Sequence, residues 1–67
     1  MEMTCAKVME VVGSSKKDWS DAVENAVAEA LRSVPRVHAV EVINMTANVE
    51  GGRIHEFKAD CKVAYSE

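Results

Sequence analysis

Cysteine is scarce in this chain: Cys5 and Cys61 are its only two. Two cysteines cannot build a disulfide scaffold, and they form neither a CxxC pair nor a Cys/His cluster with zinc-site spacing. One bridge between them stays open as an alternative. The simpler reading is a pair of reduced thiols serving as small apolar residues in a cytoplasmic protein. Acidic residues outnumber basic ones, 11 to 8. Net charge is −3 and no basic cluster occurs, so electrostatics give no reason to expect a nucleic-acid partner. No apolar run approaches a membrane span, and Met1-Glu2-Met3-Thr4-Cys5 has neither the cationic start nor the apolar stretch of a secretion signal. Gly-x-Ser-x-Gly, P-loop and dinucleotide-binding patterns are missing, as is a nucleophile–base constellation, so no enzyme is expected.

Repeats, low-complexity tracts and linkers are absent as well, which leaves residues 1–67 as a single domain. It is a thin one. Below roughly 70–80 residues one apolar core rarely supplies more than about 3–5 kcal/mol, and small chains then draw on disulfides, a metal or neighbouring subunits. Apolar residues make up 48% of the chain, enough for a core plus an interface. By elimination, neighbouring subunits are expected.

What is present divides into four pieces. Ala6 to Val12 is short and β-branched, and it stops at Gly13-Ser14-Ser15, which has turn composition. A strand is expected there. Trp19, Ala22, Val23, Ala26, Val27, Ala30, Leu31 and Val34 then recur at three- and four-residue steps, the stripe of a helix over about 16–33. Ser15 and Asp18 resemble a capping box, Asp18 and Asp21 complement the positive end of the helix dipole, and Pro35 disfavours helical geometry at Val34. Alanines on the stripe would let a sheet approach closely and wrap partly around the helix.

From Arg36 to about Val49 the pattern is β-like, with the alternation slipping by one near Val42-Ile43, as a bulge would require. Glu50-Gly51-Gly52-Arg53 is a hairpin signal. In the last strand, Ile54 to Tyr65, one face carries His55, Phe57, Ala59, Cys61, Val63 and Tyr65. The other carries Glu56, Lys58, Asp60 and Lys62. The expected fold is therefore α+β: a βαββ two-layer subunit whose three-stranded antiparallel sheet, in order 1-3-2, wraps around one helix. Strands 1 and 2 would be edges, which invite pairing with another chain.

Lys7-Val8-x-Glu10-x-Val12-Gly13-Ser14-Ser15, the alanine-rich helix, Val40-Glu41-Val42 and Phe57-x-x-x-Cys61-Lys62-Val63-Ala64-Tyr65 together resemble the dodecins. The likeness spans essentially the whole chain. It implies a hollow homododecamer that stores or buffers flavin (riboflavin or FMN type) without catalysis. In flavin-binding members a Trp on the second strand, two positions before a Glu, stacks on the flavin ring, and a Gln on the third strand bonds its polar edge. Carried over, Glu41 matches the Glu, the stacking position falls on Ala39 and the Gln position on Lys58. Both flavin determinants are replaced. Stacking on an aromatic is worth about 1–3 kcal/mol per ring, so flavin binding is expected to be weakened or altered.

Other residues have plainer alternatives. Trp19 has core spacing, and Lys58 on a polar strand face is ordinarily just solvated. His38, beside Ala39, is a candidate pocket residue that could titrate near neutral pH, though a strand or interface histidine is the simpler account. Met1, Met3, Met9 and Met45 are filler in core or interface. Glu41, Glu50, Glu56 and Asp60 could repeat around a symmetry axis as oxygen ligands for a hard cation. Some Trp-lacking relatives are associated with calcium, so calcium binding, or a purely structural shell, is the alternative that the resemblance leaves open.

Overall fold

The computed structural model describes residues 7–66. The chain runs β1 (Lys7–Ser15), α1 (Trp19–Leu31), β2 (Arg36–Glu50) and β3 (Arg53–Ser66). β3 lies between β1 and β2 and is antiparallel to both, giving the order β1-β3-β2. The expected βαββ architecture is the one observed.

Two boundaries depart most from the sequence reading, each for a local reason. β1 does not stop at Gly13-Ser14-Ser15 but runs through it, paired with Ala59, Lys58 and Phe57. Gly13 is there for packing. A Cβ at this position would meet the Ala22 carbonyl oxygen at 2.0 Å and the Ala26 amide nitrogen at 2.8 Å. The helix crosses β1 directly above it, and only a residue without a side chain allows that approach.

α1 begins at Trp19, three residues later than expected, because Asp18 and not Ser15 is its N-cap. Asp18 is extended, and its carboxylate accepts from the Asp21 amide at 2.7 Å. Ser15 instead closes the loop: its hydroxyl accepts from the Lys17 amide at 2.8 Å and donates to the Asp21 carboxylate at 2.7 Å. At the other end the amides of Ser33 and Val34 both bond the Ala30 carbonyl, and the chain turns into β2 through Pro35.

β2 is irregular. Its register with β3 shifts between Val37 and Ala39, between Val42 and Asn44, and between Asn48 and Val49. The second is the slip expected near Val42-Ile43. Its edge is thus broken at short intervals, and a broken, twisted edge is a poor template for another strand. The hairpin closes with Gly51 at φ 61° and Gly52 at φ 77°, the positive values that a two-residue hairpin turn uses.

The core is small. Ala22, Ala26 and Ala30 from α1 meet Ala59, Cys61 and Val63 from β3, with Met9, Val11, Val23, Val37 and Val42 packed partly around them. Alanine on one side and small residues on the other bring helix and sheet together closely. They also leave little apolar volume between them: the largest fully buried side chains are Val63 and Cys61. Trp19 is half-buried, not fully in the core. Its ring meets Phe57 edge-on at 4.8 Å, and its Nε1 donates to the Thr46 carbonyl at 3.1 Å, tying the start of α1 to β2.

Candidate functional site

The helix occupies one face of the sheet, and the other face is open to a ligand. Directly paired residues in antiparallel strands project to the same face, and the register therefore gives the outer face row by row. Val8, Ala64 and Ala39 form one row. Glu10, Lys62 and Glu41 form the next, then Val12, Asp60 and Asn44, and finally Ser14, Lys58 and Thr46.

Two shallow depressions lie on this face. A smaller one, about 220 Å³, is lined by Val8, Ala39, Val40, Glu41, Lys62 and Ala64. A larger one, about 520 Å³, includes Glu10, Val12, Ile43, Asp60 and Lys62. Lys62 borders both. The smaller depression has an apolar wall of valine and alanine and a charged row beside it, Glu10–Lys62–Glu41, in which the lysine stands between two carboxylates. That chemistry suits a small molecule with an apolar body and a polar edge. It has no ring on which to stack one.

The sequence-derived candidates separate here. Ala39 and Glu41 line the smaller depression together. Lys58 lies opposite Thr46 and Ser14, six positions along β3 from the Ala64 that faces Ala39. At the strand rise this is about 20 Å, so one small ligand cannot touch Ala39 and Lys58 of the same protomer. His38 lies at the bulge between Val37 and Ala39 and lines neither depression. Its Nε2 is 2.8 Å from the Ser66 hydroxyl. His55 is 3.7 Å from the Glu50 carboxylate near the hairpin end.

The sequence reading passed over Lys62, Glu10, Val8 and Ala64 as site residues. Alternation had already put Lys62 on the polar face. The missing signal was the cross-strand register that sets it between Glu10 and Glu41, which alternation within one strand does not give.

Cys61 lies under the helix with 2% of its surface exposed, and it is a free thiol. Burial, and secondarily the charge of neighbouring Asp60, raise its pKa above the usual 9.0. It is a packing residue, not a nucleophile. Cys5 lies outside the described residues. Among the described residues no three His, Cys, Asp or Glu side chains gather as a metal site, and no helix is long and apolar enough to cross a membrane.

A family model described as Dodecin matches residues 5–67. The chain belongs to the dodecin family. Solved dodecins carry the same architecture. The structure of dodecin from Streptomyces coelicolor superposes with a TM-score of 0.91 at 28% identity, covering 100% of this chain and 97% of that one. The dodecin of Streptomyces davaonensis superposes at 0.86 and 21% identity, over 91% and 90% of the two chains, a likeness of fold. A third dodecin, from Mycobacterium tuberculosis, is described as a calcium-chelating immunodominant antigen with a novel calcium-binding site. It superposes at 0.81 with 26% identity, over 96% of this chain and 91% of that one. No curated protein matches the chain by sequence.

Proposed function

We propose that this chain is the subunit of a hollow homo-oligomeric shell, twelve-membered as the family resemblance implies, that binds and stores a small ligand without catalysing a reaction. Membership of the dodecin family across residues 5–67 carries this reading. Its site is the outer sheet face around Ala39, Glu41 and Lys62. Lys58 joins that site only from a second copy, given its distance from Ala39 along β3. Sparse cysteine and the free Cys61 thiol support a reducing compartment, the cytoplasm.

Ligand affinity follows from what the Ala39 depression contains. With alanines at 39 and 64 and a valine at 8, a flavin ring meets aliphatic surface only. It forgoes about 1–3 kcal/mol for each missing aromatic stack, so riboflavin and FMN bind weakly. Ala39→Trp, with or without Lys58→Gln, is expected to strengthen flavin binding, read as quenching of riboflavin or FMN fluorescence at micromolar protein. A double variant that assembles to the normal mass yet leaves the fluorescence unchanged would show that the stacking position has been misplaced.

Calcium is the second reading, favoured by the likeness to the M. tuberculosis calcium dodecin. It would draw on carboxylates from several copies. Within one protomer Glu10 and Glu41 share one cross-strand row, with Lys62 between them. Calorimetry with calcium and with magnesium distinguishes the readings: absence of heat and of any melting shift with either ion leaves the flavin-type ligand or the bare shell.

A further inference from the structure

The charged row beside the Ala39 depression has an order that selects among ring ligands. Val8, Ala64 and Ala39 set small aliphatic side chains across the three strands, and Glu10, Lys62 and Glu41 form the next row, about 7 Å further along them. A planar ring lying on the first row therefore points one edge at the second. Glu41 and Lys62 line the depression, and Glu10 continues their row into the larger one. All three residues are exposed, and none is held in an ion pair with another of the described residues. Asp60, in the row beyond, adds a further carboxylate. Arg36, Ser66 and His38 bound the opposite side of the aliphatic row and line neither depression.

An ionised carboxylate only accepts hydrogen bonds and an ammonium only donates them, so across the strands the row reads acceptor, donor, acceptor. An anionic ligand is drawn to Lys62 but repelled by the carboxylate on either side of it. We propose that the depression selects a neutral planar heteroaromatic ring whose edge carries two amino groups flanking an unprotonated ring nitrogen, the 2,4-diaminopyrimidine class. The amino groups donate to Glu10 and Glu41, and the ring nitrogen accepts from Lys62. The two carboxylates stand on strands about 9–10 Å apart, which leaves room for that edge and a hydrogen bond of about 3 Å at either side. A flavin presents the reverse order, two carbonyls flanking an N–H. It sets each carbonyl against a carboxylate and the N–H against the ammonium, and polar groups left unpaired in this way discriminate between rings of one shape. This inference rests on the ligand-binding reading of the outer face and names the ligand class.

Two probes of one shape test it: 2,4-diaminopteridine and its 2,4-dioxo counterpart, lumazine, whose edge is inverted. Calorimetry near neutral pH compares them on the wild type and on Ala39→Trp, which adds a stacking surface that ignores the edge. Native mass reports the assembly of every variant. The expected result, in either protein, is diaminopteridine bound at least about tenfold more tightly than lumazine, with that preference largely erased by Glu41→Met and by Lys62→Met. Equal binding of the two probes, or tighter lumazine, overturns the edge and leaves the site standing. A preference that survives both substitutions overturns the assignment to this row. So does tighter diaminopteridine binding to Lys62→Met, the mark of a cation merely attracted to carboxylates. Binding of neither probe to either protein overturns the ligand site itself.

Discussion

At Gly13 a single hydrogen atom decides whether helix and sheet can meet. The Ala22 carbonyl lies so close that a methyl group there overlaps backbone, and backbone cannot move aside as a flexible side chain would. Gly13→Ala must push α1 off β1 or bend the strand. Overpacking of this kind costs about 1–3 kcal/mol, and here it acts at the centre of a six-residue core. The expected outcome is a loss of unfolding free energy of about that size, read as a lower urea midpoint at unchanged m. An unchanged midpoint would mean that α1 does not cross β1 at Gly13. Cys61 gives a second prediction at this scale. Its folded-state pKa is raised, so the folded state favours the neutral thiol. The stabilising contribution is complete below the unfolded value near 9.0 and is lost as pH rises through the folded value. Melting temperature should therefore fall more steeply above about pH 9 in the wild type than in Cys61→Ala, after allowance for the cavity that the variant leaves. Parallel curves would place the thiol in solvent.

Among the elements, the hairpin turn is the one most open to improvement. Gly51 and Gly52 both adopt positive φ, and a Cβ at either position meets nothing within 4 Å. Asparagine tolerates the left-handed region and is favoured at the first position of such a turn. Gly51→Asn restricts the unfolded chain without straining the folded one and should raise stability by about 0.4–1 kcal/mol, measured by denaturant titration. A valine at the same site should do the reverse, and equal effects from the two would remove the positive-φ turn. The same elements show what could be read from residues alone. The helix stripe, the glycine hairpin and the alternation of β3 each follow from local periodicity, so element order and sheet order were legible. Gly13 was not. Its composition suggests a turn, and only the helix lying across it makes it a packing residue. The site was half legible for a related reason. Ala39 and Glu41 are two residues apart on one strand, and alternation alone puts them on a shared face. Lys62 and Glu10 join them through cross-strand register, which alternation within a single strand does not give.

For the molecule as a whole, burial and exposure are out of balance. Its largest fully buried side chains are a valine and a cysteine. Among the described residues Val8, Val12, Leu31, Val40, Ile43, Met45, Val49 and Ile54 are all more than a third exposed. Burying a valine, leucine or isoleucine is worth about 1.5–3 kcal/mol, so more apolar stabilisation is open to this chain from other copies than its own core provides. Association and folding should then be a single equilibrium, and stability should depend on concentration. Each hundredfold dilution removes about 2.7 kcal/mol of mass-action stabilisation per association step. For a domain of this size, 1 kcal/mol corresponds to about 4–8 °C in melting temperature. Hundredfold dilution is therefore expected to lower the melting temperature by about 10 °C or more, with loss of native mass and loss of secondary structure following one curve. A melting temperature unmoved by dilution, in a species of one-chain mass, would mean that six small buried residues suffice to hold the fold. The exposed valines, isoleucines and leucine would then need a different explanation from the contact between copies.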